Sequence, residues 1–297
     1  MEKTATTGDL VVGVDGSAAA HQAVRWAARA AAGRGTGLRI VYAGGLEGGY
    51  FGAGLPIPRE ALGELRRQAG DVLAEAEKLA REAAPGLAVA TELSTRLPIP
   101  VLLEAARTAR MVVLGAEGAG GFDGMRIGST AVAVASHAGC PVVVVRGQEV
   151  PDGRRLVVGV DGSPTSEAAL AAAFEEASWR RAPLIAAHAW TDVDYDSATS
   201  SSRLLGHPER FAEDGERLLA QRLAGWQERY PDVPVERDVV RDRPRHRLLE
   251  LAAGAALVVV GSRGRGGIQG LLLGSTSQAL IQHAQCPVMI VCTGRPE

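Results

Sequence analysis

Aromatic residues make up only 4% of this 297-residue chain, so the 46% that is hydrophobic comes mainly from small and branched aliphatic side chains. That scarcity argues against a core built on large rings and suits helices packed on a parallel sheet. A charge excess is also missing. Lys and Arg number 32 against 34 Asp and Glu, a net charge of -2, which gives no general attraction to nucleic acid or to anionic lipid. No stretch approaches the roughly 18 uninterrupted apolar residues of a membrane span, and residues 1–9 lack the apolar segment of a secretory signal. The expected setting is the cytoplasm, with neither a membrane nor a nucleic-acid partner. Three cysteines, Cys140, Cys286 and Cys292, form no CxxC pair. The last two flank one expected strand about 20 Å apart, too far for a disulfide. Each reads as a small buried hydrophobe.

What the chain does have is a repeat. Val11-Val12-Gly13-Val14-Asp15-Gly16-Ser17 returns as Val157-Val158-Gly159-Val160-Asp161-Gly162-Ser163, an offset of 146 residues. The same offset carries Gly115, Gly118 and Gly128-Ser129-Thr130 onto Gly261, Gly264 and Gly274-Ser275-Thr276, and His137 and Cys140 onto His283 and Cys286. A constant offset over more than a hundred residues implies two copies with nearly equal spacing. The length accommodates two domains, each with its own core. They are expected at 1–147 and 155–297, joined through a polar segment containing Pro151 and Gly153.

Short apolar runs at 10–14, 38–42, 87–93, 111–114 and 142–145 predict strands in the first copy. Runs at 156–160, 184–188, 235–240, 256–260 and 288–291 predict them in the second. Helical patterns lie between. The clearest spans 59–84, where Leu62, Leu65, Ala69, Leu73, Ala76 and Ala80 share one face. Such alternation predicts two tandem α/β domains, each a doubly wound parallel sheet with helices on both faces. Ligands of such sheets sit beyond the carboxyl ends of the strands.

Two features fall at those ends. Asp15 and Asp161 each close an apolar strand and precede Gly-Ser at a helix start, where they serve either as a helix cap or as an acceptor for ribose or base. The second feature is Gly115-Ala-Glu-Gly118, nine residues, then Gly128-Ser129, repeated as Gly261-Ser262-Arg263-Gly264, nine residues, then Gly274-Ser275. Glycine allows positive φ and close backbone approach, and a helix start adds N–H donors and the positive dipole end. A flexible surface loop is the bland alternative; identical spacing in two copies favours a phosphate cradle.

These motifs resemble the tandem universal stress proteins of the ATP-binding subgroup, whose pattern Gly-x2-Gly-x9-Gly-(Ser/Thr) fits both copies without a gap. The resemblance implies five-stranded parallel sheets of order 3-2-1-4-5. It also implies ATP as the ligand of each copy, with Mg²⁺ as an optional companion. Adenine would meet Tyr42-Ala43 and His188-Ala189, near Gly13, Asp15, Gly159 and Asp161. The triphosphate would lie along Gly115, Gly118, Gly120, Gly121 and Gly128-Ser129-Thr130. Its counterpart in the second copy is Gly261, Ser262, Arg263, Gly264, Arg265, Gly266, Gly267 and Gly274-Ser275-Thr276. Family likeness further suggests dimerisation through the last strands, either between copies or in a homodimer, and an unidentified protein partner.

Rival readings have less support. A Walker-type hydrolase needs Gly-x4-Gly-Lys-(Ser/Thr), and neither loop holds that lysine. Paired carboxylates are not repeated, since Glu117 and Asp123 occur only in the first copy. Slow hydrolysis or adenylyl transfer stays as the alternative to a regulatory ATP-binding role. The Gly264-Arg-Gly266-Gly267 fragment follows a fourth strand, where a dinucleotide fingerprint does not belong. A non-nucleotide interaction module would not keep both glycine motifs. The six histidines are given no ligand role, and the tryptophans are read as packing, with Trp190 beside the adenine position. The segments 44–58 and 191–206 are expected to be mobile covers.

Overall fold

The computed structural model describes residues 8–45, 50–51, 55–56, 59–118, 127–147, 155–190, 208–264 and 273–292. The chain divides into two compact units, Met1–Arg146 and Gly147–Glu297. The first unit runs β1 (Leu10–Val14), α1 (Ala18–Arg34), β2 (Leu38–Ala43), a short pair β3 (Tyr50–Phe51) and β4 (Leu55–Pro56), α2 (Arg59–Ala83), β5 (Val89–Ser94), α3 (Pro98–Ala105), β6 (Met111–Gly115), α4 (Ser129–His137) and β7 (Val142–Val145). The second runs β8 (Leu156–Gly159), α5 (Pro164–Arg180), β9 (Leu184–Trp190), α6 (Pro208–Arg229), β10 (Val235–Arg241), α7 (Pro244–Ala252), β11 (Leu257–Gly261), α8 (Ser275–His283) and β12 (Val288–Val291).

Principal strands in the first unit are ordered β5-β2-β1-β6-β7, and in the second β10-β9-β8-β11-β12. Each is the order 3-2-1-4-5, with every neighbouring pair parallel. The central strands are buried on both faces: Leu10, Val11 and Val12, and likewise Leu156, Val157 and Val158, have no exposed surface. Helices must therefore cover both faces. The outer strands β5 and β10 are half-exposed and carry charged residues such as Glu92, Glu236, Arg237 and Asp238. No helix of the described residues is long and apolar enough to cross a membrane.

Helix α1 lies close to its sheet because its buried face is nearly all alanine, with Ala20, Ala23, Ala27, Ala28 and Ala31 almost fully enclosed. Ser17 caps it by accepting the Ala20 N–H at 3.1 Å, and Ser163 caps α5 through the Ser166 N–H at 3.2 Å. The helix caps are therefore the serines, and each aspartate accepts from the serine's own N–H at 3.0 and 2.9 Å.

Strand limits differ from the sequence expectation where pairing or turns intervene. Leu87 is not in β5; its N–H bonds to the Ala84 carbonyl in the turn that closes α2, helped by Gly86 at φ +85°. β2 and β6 extend one residue further because Ala43 pairs with Ser94 and Gly115 with Val145. β9 and β10 continue to the Trp190–Arg241 pair. The β3–β4 pair within 44–58 was not anticipated; the rest of 46–58 and all of 191–206 lie outside the described residues. The polar segment 148–154 lies outside them too. Cys140 and Cys286 are buried and Cys292 is partly so, all as free thiols, and burial pushes the Cys286 thiol up to about 12.

The copies end their first helices differently. α1 closes on Gly35 at φ +64°, in the left-handed conformation, with its N–H turned back to the Ala31 and Ala32 carbonyls. Arg181, the matched position after α5, makes the same turn at φ +50° and is the only non-glycine at positive φ among the described residues. A side chain there costs roughly 1–2 kcal/mol, against about 0.5–1 kcal/mol for glycine's extra freedom in the unfolded chain. Arg181→Gly should therefore stabilise the second unit by about 0.5–1 kcal/mol in urea unfolding. A loss of stability would show that the arginine side chain holds the turn.

Candidate functional site

At the carboxyl edge of each sheet, the first strand ends in a sharp turn. In the first unit Val14 stands level with Tyr42 of β2, and Asp15 follows. Gly16 then takes φ +84°, and its twin Gly162 takes +76°. This left-handed residue reverses the chain into the helix and leaves the aspartate on the edge. Asp15 is exposed and Asp161 half-buried.

The fourth principal strand ends beside that turn. A Cβ on Gly115 would lie 2.7 Å from the Ala19 backbone carbon, and one on Gly261 would lie 2.7 Å from Cβ of Thr165. The loop then bends back, and a Cβ on Gly118 would stand 2.7 Å from Asp15 Oδ2, or on Gly264 2.6 Å from Asp161 Oδ2. These two glycines were expected to need positive φ; neither has it. Their lack of a Cβ lets the loop lie against the carboxylate end, while positive φ falls on Gly16 and Gly162.

Each loop returns to open a helix. The Gly128 N–H donates to the Ala116 carbonyl at 2.8 Å, and the Gly274 N–H to the Ser262 carbonyl at 2.8 Å. Gly128 and Gly274 are the N-cap residues of α4 and α8, and neither has a side chain to cap with. The first-turn N–H groups of these helices, which have no partners within the helix, are thus left for another acceptor. Ser129 and Ser275 are exposed, and Thr130 and Thr276 half-exposed.

Gly13 and Gly159 have a different surrounding from the other expected site residues. A Cβ on Gly13 would meet Leu114 at 2.7 Å and Leu102 at 3.1 Å; one on Gly159 would meet Leu248 at 3.0 Å and Val260 at 3.1 Å. Packing of sheet on helix accounts for both. Ala43 and Ala189 are half-buried at the ends of the second principal strands. Between Asp161 and Ala189, His188 Nδ1 lies 2.7 Å from the Val160 carbonyl, which ties the two strand ends together. Trp190 is buried beneath the Arg241 guanidinium. Gly120, Gly121, Arg265, Gly266 and Gly267 lie outside the described residues, as does Asp123.

Sequence reasoning missed the hydroxyls that hold the loops. In the first unit Ser17 Oγ donates to the Glu117 carbonyl at 3.3 Å. In the second, Thr165 Oγ1 donates to the Arg263 carbonyl and sits 3.0 Å from Ser163 Oγ. Ser277 Oγ adds a bond of 2.7 Å to the Gly261 carbonyl. The matched first-copy residues, Ala19 and Ala131, have no hydroxyl, so these differences were readable as Ala-to-Thr and Ala-to-Ser changes across the repeat. Cys292 lies beside this loop; burial pushes its thiol up, partly offset by a bond to Ser262 and the Arg263 charge.

The assembled edge sets an acceptor next to a row of donors. It suits a ligand with hydroxyl or amine donors at one end and an anionic group at the other. Among the described residues, no metal-binding group of His, Cys, Asp and Glu forms at the glycine loops.

The family model described as the universal stress protein family matches residues 7–146 and again 153–291. Universal stress proteins of Mycobacterium tuberculosis and Mycobacterium bovis are each 42% identical over 298 residues, spanning 98% of this chain and 99% of theirs. One from Mycolicibacterium smegmatis is 41% identical over 304 residues, with 98% and 99% covered. In three dimensions, a universal stress protein from Archaeoglobus fulgidus aligns over 97% of both chains with a TM-score of 0.69 at 18% identity, a likeness of fold.

The close approaches separate two kinds of glycine. Gly261→Ala drives a Cβ against residues of α5 and should cost about 1–3 kcal/mol in urea unfolding. Gly264→Ala meets only the end of the Asp161 carboxylate, which can turn aside, and should cost under about 1 kcal/mol. Equal losses would mean that Asp161 is as rigidly held as the backbone.

Proposed function

Starting from the fact that this chain belongs to the universal stress protein family, we propose that each unit binds one adenine nucleotide as a regulatory ligand, ATP in preference to ADP. One observation carries this reading: in both units a strand-end aspartate touches a glycine loop that runs into a helix start without a side-chain cap. Asp15 and Asp161 would accept from the ribose or base, with Ala43 and Ala189 beside them. The phosphates would lie on Gly118 and Gly264 and on the first turns of α4 and α8, at Ser129-Thr130 and Ser275-Thr276. Mg²⁺ would enter with the nucleotide's own phosphates. ATP is favoured over ADP because loop and helix start together offer more donors than two phosphates require. A dedicated hydrolase is disfavoured because neither loop carries a lysine at the Walker position. The bound nucleotide would act by biasing the conformation or contacts of the site's surroundings, as expected of a cytoplasmic regulatory protein.

Denaturing the purified protein and identifying the released nucleotide, together with calorimetric titration of ATP, tests the reading. About two equivalents of adenine nucleotide per chain are expected. A protein that releases none and fails to bind added ATP overturns it.

The two sites should differ. The second loop has Arg263 and Arg265 where the first has Glu117 and Ala119, and the Arg263 and Glu117 side chains are exposed. The second loop is also tied by Thr165 and Ser277 where the first has Ala19 and Ala131. Charge after solvent screening favours the second site by about 1–2 kcal/mol, or roughly fivefold to thirtyfold in affinity. A loop held in place beforehand adds in the same direction. In Gly118→Ala the surviving second site should bind ATP more tightly than the surviving first site in Gly264→Ala. Equal affinities would show that the loop charges point away from the phosphates.

A further inference from the structure

The second unit has a groove whose charged lining its repeat does not share. Between α7 and α8 lies a groove of about 750 Å³ whose lining includes Arg243, Arg245, His246, Ser275, Gln278 and Gln282. This is the size range of small-molecule sites, about 300–1,000 Å³. At the matched positions the first copy has Leu97, Ile99, Pro100, Ser129, Val132 and Ser136. α3 packs on α4 without the cationic residues much as α7 packs on α8. Packing of the two helices therefore does not require the cationic set.

The acids are already engaged, including Asp242, which itself lines the groove. Asp242 accepts from the Arg243 N–H at 2.6 Å and lies 2.7 Å from His246 Nδ1. That bond raises the histidine's affinity for its proton, with Glu250 adding to the effect. Glu250 also pairs with Arg247 at 3.1 Å, and Arg247 is held by Asp238 through two bonds of 2.7 and 2.9 Å. Arg243 and Arg245 form no ion pair among the described residues and are exposed. Arg243 and Arg245, with five N–H donors each, thus line the groove together with the side-chain amides of Gln278 and Gln282. Guanidinium forks match the paired oxygens of phosphate and carboxylate.

We propose that the α7–α8 groove of the second unit is a binding site for a small polyanion bearing phosphate or carboxylate groups, adjoining the proposed nucleotide site at Ser275 but held by Arg243 and Arg245, which that site does not use. The matched residues of the first unit offer no guanidinium. One polyanion per chain would bind beside a bound nucleotide.

Isothermal titration of the full chain, with and without saturating ATP, against inorganic pyrophosphate and against tricarballylate tests the proposal. One site per chain is expected in the presence of ATP. The stronger of the two probes identifies the ligand as a phosphorylated compound or a polycarboxylate. Arg243→Gln combined with Arg245→Gln should weaken that probe at least tenfold and leave ATP affinity within twofold. Both positions are exposed, so folding is not at risk, and far-ultraviolet circular dichroism checks it. The paired Arg→Lys variant should recover part of the loss, since charge remains without the fork. Binding of neither probe, or equal binding by wild type and the Gln variant, overturns the proposal. A parallel fall in ATP affinity also overturns it, because the groove would then be part of the nucleotide site. Failure of ATP to bind at all would sink the nucleotide reading alone, since the Gln variant reports on the groove independently.

Discussion

The absence of a side chain at Gly115 and Gly261 is the constraint on which each unit's functional edge depends. At both positions the end of the fourth principal strand comes so close to the start of the first helix that a Cβ would lie 2.7 Å from α1 backbone or from the Thr165 side chain. No rotamer change relieves a clash with backbone. The close approach brings the following loop under the helix start, where a hydroxyl can reach the carbonyl of residue 117 or 263. It also brings Gly118 and Gly264 against the aspartates. The arrangement of carboxylate, loop and helix start follows from that one contact.

The two copies meet this constraint with different chemistry. In the first, Ser17 both caps α1 and holds the Glu117 carbonyl, the latter at 3.3 Å, near the limit of a useful bond. In the second, the tasks are divided: Ser163 caps, Thr165 takes the carbonyl, and Ser277 fastens the strand end itself. Hydroxyls buried in this way must be paired to be tolerated, and here they are. The repeat thus keeps its geometry while allowing one loop to be more firmly held than the other.

Much of this was legible in the sequence because the relevant signals are local. Parallel strands buried on both faces read as runs such as Leu10 to Val14, and the constant offset assigned each landmark a twin. The strand order came through family resemblance, not from periodicity. Less legible were features that depend on where separate segments meet. Glycine can be required for positive φ or for lack of volume, and only the folded chain separates Gly16 from Gly118. Gly13 and Gly159 share that ambiguity, and there Leu102 and Leu248 from α3 and α7 press on the place a side chain would take. Asp and Ser are both good caps, so the serine's role in Asp-Gly-Ser was not decided by residue type. The groove between α7 and α8 joins residues more than thirty positions apart, and no motif announces it.

The position of the proposed site on the central strand bears on how the molecule opens. β1 and β8 are hydrogen-bonded on both sides and have no exposed surface over their first three residues. Their amide hydrogens belong to the part of each unit that exchanges with solvent last. The exposed Ser129 and Ser275 at the helix starts that would hold a ligand lie outside that buried ladder. Entry and exit of a ligand can therefore proceed through local excursions far less costly than unfolding. The slowest-exchanging strand would keep the carboxylate's anchor in register while the donors around it come and go.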